Sequence, residues 1–523
     1  MNSTFQQRLQ QIAANPNLLL KGIRRGIEKE SLRISQNGYL ATDKHPAALG
    51  ATLTHPYITT DYSETLMEFI TPPSNTPEEA IHWLMDLHSF TYQHIGNELL
   101  WVGSMPCTLT KEEDIPIADY GTSNIGQLKH IYRRGLAHRY GKAMQVIAGI
   151  HLNCSFPMSF WEFYQELLQD AQPLQNFIDE QYFNLIRNYW RYCWLLVVLT
   201  GASPALCQSF LRGPNSQLKA TGGGTWLAPE GTSLRMSDLG YQNNRQHQLQ
   251  ISYNNLSEYL NNLIEAVSIL EPDYLPYGTV AQGQNEQLNA NLLQIEAEFY
   301  SPIRPKRRPI ADERSIHALH RAGIEYIEVR ILDLNPYEPV GITVEVIRFV
   351  ESFLLMCLLN PSPFFSAEDQ TEIKDNLRAA VYHGQNPDTI LRHQGQNFTL
   401  KNWGEDLFEK ILPCAKLLDE HHQSTLYQDA CQQMLEKFRD SQKLLAHRIL
   451  ADMKEYHECS FVQFANYWSQ EHQKMFLSRQ LSPERQAEFT QLALKSLQDQ
   501  VALEKSDTLT LQQYVAKYLA AIP

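Results

Sequence analysis

Acidic and polar side chains recur at every second position of several short segments, the spacing that places them on one face of a β-strand. The alternating apolar residues, such as Leu152 and Val329, predict that the opposite face is buried. These polar faces carry Glu28 and Glu30 in residues 26–30, His151, Asn153 and Ser155 in residues 150–156, and Tyr326, Glu328 and Arg330 in residues 326–331. Carboxylates, an imidazole and an arginine in this pattern could bind a metal ion and a phosphate group.

Carboxylates on neighbouring strands would repel one another. Two of them about 4 Å apart cost on the order of 4 kcal/mol at an effective dielectric constant near 20, unless a cation lies between them. Oxygen-rich ligation with a single histidine suits Mg²⁺ or Mn²⁺ better than zinc, and Mg²⁺ commonly arrives with phosphates. Arg330 lies two residues from Glu328, so the pattern predicts a metal-dependent phosphoryl-transfer site on a curved antiparallel sheet. The alternative is an ordinary antiparallel sheet whose polar face is solvated.

Two further segments are candidate strands. Residues 63–69, just after Asp61, fit either a helix or a strand. Residues 293–300 alternate with period two and predict a strand. Its apolar face would carry Leu293, Ile295, Ala297 and Phe299, and its polar face Gln294, Glu296, Glu298 and Tyr300.

Two loops are candidate binding segments. Residues 221–225 (TGGGT) lack the Lys-Ser/Thr ending of a phosphate-binding loop and the spacing of a dinucleotide fingerprint, which favours a flexible turn over a flap. Residues 304–309 (RPKRRP) are either a solvated basic loop or a contact for phosphate or a substrate carboxylate.

A third segment, residues 232–241, would place Ser233, Arg235 and Ser237 on one side if it is extended. Arg235 could then clamp an amino-acid carboxylate with two hydrogen bonds. The structural alternative is an ion pair between Arg235 and Asp238.

The pattern changes to long helical periodicity from about Ile342, after a break at Asn335-Pro336, Pro339 and Gly341. We therefore predict a catalytic sheet-and-helix region over residues 1–341 and a mainly helical part over residues 342–523. The two could pack as a single domain. Helix-capping residues are expected at Ser366 and Ser482.

Composition excludes several classes of protein. The 523 residues include 58 acidic and 44 basic ones, a formal charge of −14, which argues against a protein that coats nucleic acid or binds membranes through basic residues. The most apolar stretch, residues 192–202, is about half as long as a membrane span and predicts a buried helix. Eight cysteines without a C-x-x-C pair, behind an N-terminus that lacks a secretory pattern, indicate buried free thiols in a cytoplasmic protein. We expect a monomer.

The motifs described above belong to longer stretches that strongly resemble the bacterial glutamate–cysteine ligase family. The resemblance is collinear over about residues 20–340. It is carried by LKGIRRGIEKESLR (20–33), ITTDYSETLMEFITP (58–72), SMPC (104–107), YGTSNIGQLK (120–129), YRRGLAHRYG (132–141), GASPALCQSFL (201–211), TSLRMSDLGY (232–241), LQIEAEFYSPIRPKR (293–307) and GIEYIEVRILDLNP (323–336).

The resemblance implies an α+β, glutamine-synthetase-like fold with a funnel walled by antiparallel strands, and it implies a role for matching residues. Arg330 resembles the residue that contacts the γ-phosphate of ATP. Arg235 resembles a residue that contacts a substrate carboxylate and has a catalytic role. The implied metal ligands are Glu28, Glu30, Asp61, Glu68, His151 and Glu328. The implied cysteine pocket consists of Tyr132, Gln145, Tyr241 and Tyr300, with Tyr62 at a position where the family often has phenylalanine.

The implied activity joins the γ-carboxylate of L-glutamate to the amine of L-cysteine, with ATP as co-substrate and Mg²⁺ or Mn²⁺ as cofactor. Glutamate would pass through a γ-glutamyl phosphate, and the product would be γ-glutamylcysteine for glutathione biosynthesis. One alternative is the same chemistry with another amine acceptor, because a single methyl or hydroxyl group changes selectivity by only about 1–3 kcal/mol. The other is a non-enzymatic binding protein stabilised by metal.

Overall fold

The computed structural model describes residues 3–15, 17, 19–211, 213, 215–239, 249–310 and 313–520. In these ranges the strands are β1 (Arg24–Ile34), β2 (Ile58–Thr60), β3 (Leu66–Ile70), β4 (Leu99–Leu100), β5 (Ile150–Ser155), β6 (Ala205–Cys207), β7 (Lys219–Ala220), β8 (Thr225–Leu227), β9 (Ile303–Lys306), β10 (Tyr326–Leu332), β11 (Ile390–His393) and β12 (Gln396–Thr399). The helices of the same ranges are α1 (Ser3–Ala13), α2 (Pro77–Tyr92), α3 (Asn124–Tyr140), α4 (Met158–Leu167), α5 (Leu174–Tyr192), α6 (Trp194–Thr200), α7 (Leu256–Ala266), α8 (Ser315–Ala322), α9 (Val344–Leu359), α10 (Ala367–His383), α11 (Leu400–His422), α12 (Leu426–Arg439), α13 (Leu445–Tyr456), α14 (Phe461–Ser478), α15 (Pro483–Ser506) and α16 (Leu511–Ala520).

An open antiparallel sheet lies at the centre of this α+β fold. Its order within the described ranges is β2-β3-β1-β5-β10-β9, and β4 pairs with the end of β1. The register places Glu28 opposite His151 and Glu30 opposite Glu68. The strands predicted at residues 26–30, 150–156 and 326–331 are thus confirmed, and they are neighbours in one sheet.

One face of the sheet is apolar, as the alternation predicts. Ile27 and Val329 lie on either side of Leu152, and all three are fully buried. Helices α2 and α6 pack against β1 and β10. Burial of this face fixes which side chains of β1, β5 and β10 point the other way, because a shift of one residue would exchange the two faces.

The helical C-terminal part is confirmed, with the hairpin β11–β12 as an exception within the described residues. Ser366 and Ser482 cap α10 and α15, each through a side-chain oxygen that accepts a backbone N–H. A buried ion pair of 2.7 Å joins Arg25 in β1 to Glu351 in α9, and the hydroxyl of Tyr427 in α12 donates to the same carboxylate. The boundary between residues 341 and 342 stays a prediction.

The apolar stretch at residues 192–202 contains α6, every residue of which is buried, as predicted. In the described part of the chain, no helix combines the length and the hydropathy that a membrane span needs. All eight cysteines lie in described ranges as free thiols, and Cys459 is the one among them that is partly exposed.

The strand predicted at residues 293–300 is wrong. The segment contains a single turn of 3₁₀-helix, Glu296–Glu298, with irregular backbone on both sides. Glu296 and Glu298 are both buried, because they form ion pairs with Arg314 and Arg139. The alternation of apolar and polar residues at 293–300 therefore does not correspond to one buried face and one solvated face.

The other uncertain segments resolve in different ways. Residues 63–69 lead into strand β3, and the turn at residues 221–225 joins β7 to β8 through Gly223 and Gly224, whose φ angles of 62° and 67° favour glycine. Residues 232–239 are not extended, because they contain a 3₁₀ turn at Leu234–Met236.

Candidate active site

Three side chains on adjacent strands of the central sheet form a compact group that could bind a cation. Glu28 of β1, His151 of β5 and Glu328 of β10 each offer one ligand atom, and these atoms lie within 4.8 Å of one another. His151 Nδ1 is 3.2 Å from Glu28 Oε2 and 3.9 Å from Glu328 Oε1. The period-two alternation aims all three side chains at one face, and the pairing of β5 with both neighbours brings them together.

Neighbouring groups orient these ligands. Asn153 Nδ2 donates to Glu28 Oε1 at 2.8 Å. The backbone N–H of Gly149 donates to Glu30 Oε2 at 2.9 Å, and Glu30 Oε1 lies 4.0 Å from His151 Nε2. Such second contacts fix the orientation of side chains that could bind an ion.

Three more carboxylates extend the site: Glu30 of β1, Asp61 just after β2 and Glu68 of β3. Burial and the charge of Asp61 raise the pKa of Glu30 to about 8, although two arginines offset part of the effect. Burial and the charges of Asp61, Glu28 and Glu30 hold the pKa of Glu68 well above its ordinary value. The side chain of Asp61 is 45% exposed and lies at the solvent side of this group.

The pKa values of the two carboxylates nearest the basic residues, Glu28 and Glu328, are lowered instead of raised. Burial and Glu328 raise the pKa of Glu28, but the hydrogen bond and charge of His151 outweigh them, so this pKa lies below its ordinary value. Burial also raises the pKa of Glu328, but the charges of Lys306 and Arg330 hold it well below the ordinary value.

The donor set fits a hard divalent cation. The six predicted ligands form one continuous electrostatic cluster, in which carboxylates raise one another's pKa values. Carboxylate oxygens with one imidazole nitrogen are ligands that Mg²⁺ and Mn²⁺ accept. A divalent ion would offset the mutual repulsion that raises the pKa of Glu30 and of Glu68.

Two basic side chains border the carboxylates. Arg330 Nη1 lies 3.1 Å from Glu328 Oε2 and 3.4 Å from His151 Nδ1. Lys306 Nζ of β9 lies 3.4 Å from Glu328 Oε1. The sequence left residues 304–309 undecided between a solvated loop and an anion contact, so Lys306 was not singled out. The structure places Lys306 on a strand beside β10, facing the acidic cluster, whereas contact of this run with a phosphate or a substrate carboxylate stays a prediction.

A cavity of about 90 Å³ opens beside the cluster. The hydroxyl of Tyr300 donates to Gln145 Oε1 at 3.1 Å across one end of it. Five residues predicted for substrate or phosphate contact line this cavity together with Asp61: Tyr62, Tyr132, Gln145, Tyr300 and Arg330.

Tyr62 is 2% exposed, and its hydroxyl has no hydrogen-bond partner among the described residues. Burial, partly offset by Arg133, raises the pKa of this hydroxyl, so it stays a neutral donor. Tyr62 lines the cavity, although its hydroxyl oxygen itself is almost fully buried.

Arg133, which lies in the stretch YRRGLAHRYG, also belongs to the site. Its Nε donates to the backbone carbonyl of Asp61 at 2.6 Å, and its guanidinium lies 4.7 Å from the ring centre of Tyr120. Arg133 lines the cavity and brings a positive charge to it. These contacts come from residues far apart in the chain, so the local pattern could not have predicted them.

Arg235 and Tyr241 are the remaining predicted site residues. Arg235 is fully buried, donates through Nη2 to the backbone carbonyl of Arg330 at 2.8 Å, and lies 3.8 Å from Asp333 Oδ1. Its ion-pair partner is thus Asp333, not Asp238. Tyr241 lies outside the described residues.

Cation binding is expected to release protons near neutral pH. Glu30, with a pKa of about 8, is mainly protonated at pH 7 in the metal-free protein, and Glu68 is raised in the same direction. A cation must displace these protons, so its affinity falls as pH is lowered from about 8. Titration calorimetry with Mn²⁺ in two buffers of different ionisation enthalpy should detect about one proton released per ion at pH 7.

The variant Glu30→Gln provides the control, because it has no proton to lose at this position. Its proton release should be smaller than that of the wild type by about one per ion. Equal proton release in both proteins, or an affinity that is the same at pH 6 and pH 8, would contradict the assignment.

The chain is similar to known proteins along its whole length. A family profile described as glutamate-cysteine ligase matches residues 9–380. The glutamate–cysteine ligase of Alcanivorax borkumensis is 49% identical over 504 residues, which cover 95% of this chain and 96% of that protein. The glutamate–cysteine ligase of Pseudomonas fluorescens is 45% identical over 523 residues, covering 100% and 98%.

Solved structures are similar as well. The crystal structure of glutamate–cysteine ligase from Francisella tularensis in complex with AMP superposes with a TM-score of 0.90 at 34% identity, over 96% of this chain and 98% of that one. A bifunctional glutathione synthetase from Pasteurella multocida has a TM-score of 0.70 at 23% identity, over 94% and 57%, and shares the fold.

Proposed function

The chain belongs to the glutamate–cysteine ligase family, and we propose that its acidic cluster holds divalent ions with ATP while the adjacent cavity receives an amino-acid substrate. Its reaction is the ATP-dependent formation of γ-glutamylcysteine from glutamate and cysteine, in glutathione biosynthesis. Arg330 joins the two regions, because it contacts Glu328 and His151 and also lines the cavity. This juxtaposition carries the proposal.

Mg²⁺, with Mn²⁺ as a substitute, is the proposed cofactor. When bound, such ions offset the negative charge on the β- and γ-phosphates of ATP. The proposed ligands are the six acidic and imidazole residues of the cluster: Glu28, Glu30, Asp61, Glu68, His151 and Glu328.

The proposed chemistry follows from the unreactive nature of a carboxylate. An oxygen of the glutamate γ-carboxylate attacks the γ-phosphorus of ATP, ADP leaves, and a γ-glutamyl phosphate forms. Arg330 donates hydrogen bonds to the transferring phosphoryl group, where negative charge is distributed in the transition state. The neutral amine of cysteine then attacks the activated carbonyl carbon, its nitrogen releases a proton, and inorganic phosphate leaves with the bonding electron pair.

The cavity supplies positioning for the second step. Tyr62, Tyr132, Gln145 and Tyr300 are proposed to hold cysteine, so that its amine approaches the carbonyl carbon from a fixed direction; orientation of this kind lowers a barrier by several kcal/mol, about 7–11 in the best intramolecular cases. Tyr241 is proposed for the same pocket from the family resemblance.

Arg235 stays a predicted contact for a substrate carboxylate. Its hydrogen bond to the carbonyl of Arg330 supports a second role, because it fixes the backbone from which the Arg330 side chain extends. A cytoplasmic location and a monomeric state also stay predictions.

The test of this function is identification of the product by mass spectrometry. The protein is incubated with ATP, Mg²⁺, glutamate and an equimolar mixture of cysteine, 2-aminobutyrate, serine and ammonia. We expect γ-glutamylcysteine as the main product and one ADP for each molecule formed. Equal use of the four amines would favour a ligase with another acceptor, and metal binding without glutamate-dependent ADP release would favour a binding protein.

A further inference from the structure

Glu298 lies in the wall of the cavity, at the end of the 3₁₀ turn Glu296–Glu298. Its side chain is fully buried, and the proposed reaction assigns it no chemical step. A buried carboxylate requires compensating partners, because desolvation of an unpaired charge is strongly unfavourable. The identity of those partners indicates what Glu298 does.

Both carboxylate oxygens of Glu298 are engaged. Oε1 accepts hydrogen bonds from Arg139 Nη1 at 3.0 Å and from the hydroxyl of Tyr140 at 2.6 Å. Oε2 accepts the backbone N–H of Gln294 at 2.7 Å. Arg139 and Tyr140 are the last two residues of α3, so one side chain ties the segment 293–300 to the end of that helix.

Arg139 is itself held in place. Its Nη2 donates to Gln287 Oε1 at 2.9 Å and to the backbone carbonyl of Asn289 at 2.7 Å. Its guanidinium also lies 4.2 Å from the ring centre of Tyr274. Glu298 is therefore bound to a guanidinium that has little freedom to follow it if the segment moves.

The two elements that Glu298 joins each carry a tyrosine that lines the cavity. Tyr132 lies on α3, about two helical turns before Arg139. Tyr300 follows Glu298 by two residues and contacts Gln145. A second link between the elements involves only neutral groups. Gln294 Nε2 donates a hydrogen bond to the backbone carbonyl of Tyr132 at 3.1 Å.

We propose that Glu298 is a positioning residue for the amine substrate, which sets the separation of Tyr132 and Tyr300 through its bonds to Arg139, Tyr140 and Gln294. This role rests on the proposed function, because it takes the cavity to be the cysteine pocket. Loss of the link lets the two tyrosines move relative to each other. Recognition of cysteine then weakens, whereas the acidic cluster on β1, β5 and β10, where ATP is expected, keeps its geometry.

The chain contains a matched control two residues away. Glu296 lies in the same 3₁₀ turn, is also buried, and forms an ion pair of 2.7 Å with Arg314 together with a hydrogen bond from Ser315. It differs in that it does not line the cavity and its partners belong to the start of α8. A general weakening of the segment would affect Glu296→Gln and Glu298→Gln alike.

The experiment compares the steady-state constants of both variants with those of the wild type for cysteine, glutamate and ATP. Glutamine at position 298 keeps the shape but loses the charge and one acceptor. We expect the KM for cysteine to rise about tenfold or more in Glu298→Gln, with the KM for ATP within about twofold of the wild type. Glu296→Gln should leave all three KM values within about twofold.

Tyr140→Phe is a milder variant that removes one hydrogen bond to Glu298 and leaves its charge. It should raise the KM for cysteine by a smaller factor, and it keeps the test decisive if Glu298→Gln does not fold. A cysteine KM that is unchanged in Tyr140→Phe and Glu298→Gln, or equal increases for all three substrates, would overturn the role while leaving the proposed function intact. Absence of γ-glutamylcysteine from the wild type would overturn both.

Discussion

Replacement of Arg330 by alanine should lower kcat/KM for γ-glutamylcysteine formation by about 10³-fold, because one preorganised cationic donor to a transferring phosphoryl group has an effect of this order. Arg330 touches Glu328 and His151 and reaches the cavity, so its guanidinium lies between the acidic cluster and the amino-acid pocket. The loss should appear mainly in kcat. Initial rates of ADP release at saturating ATP and glutamate measure this loss of activity.

Arg308→Ala is the matched control for this variant. Arg308 is an arginine of the neighbouring basic run, its side chain is 76% exposed, and it pairs with Glu325 on the surface. Because exposed ion pairs contribute about 0–1 kcal/mol, its removal should leave the rate unchanged. The thermal midpoint of Arg330→Ala should stay close to that of the wild type, and near-normal turnover by this variant would contradict the assigned role.

Replacement of Glu28 by glutamine should weaken Mg²⁺ activation strongly. Glutamine keeps the oxygen that accepts from Asn153 Nδ2 but removes the negative charge next to His151. We expect the Mg²⁺ concentration for half-maximal rate to rise by at least about 10–100-fold, the range found when even an outer contact of a metal ligand is lost. Added Mg²⁺ should recover part of the rate.

Glu325→Gln is the control, since Glu325 is a glutamate just before β10 whose pairing with Arg308 is exposed. Its Mg²⁺ dependence should equal that of the wild type. An unchanged Mg²⁺ requirement in Glu28→Gln would exclude Glu28 as a ligand.

The sheet could be predicted from the sequence because its polar face follows strict alternation. Residues 26–30, 150–156 and 326–331 each bury one face, so the period of two has a direct physical cause. The pairing of these strands could not be derived in the same way, because register between distant segments depends on the tertiary fold. The family resemblance supplied the grouping of Glu28 with His151 and Glu328.

The same alternation misled at residues 293–300 for a physical reason. Glu296 and Glu298 look like solvent-facing positions, yet each is buried and paired with an arginine outside the segment, Arg314 or Arg139. A pattern of residue types cannot reveal such compensation. The segment consequently turns where a strand was expected.

Side chains whose role depends on a distant partner were also missed. The pairing of β9 with β10 places Lys306 beside Glu328. Arg235 pairs with Asp333, about a hundred residues away, whereas Asp238 accepts the hydroxyl of Tyr382. Local spacing favoured Asp238 because it is near in the chain.

The most direct test is diffraction from crystals of the protein grown with Mn²⁺ and a non-hydrolysable ATP analogue, recorded near the manganese absorption edge. An anomalous peak should lie at bonding distance from a carboxylate oxygen of Glu28, a nitrogen of His151 and a carboxylate oxygen of Glu328, with the γ-phosphate analogue next to Arg330. Manganese bound only at other residues, with these three side chains unligated, would contradict the account.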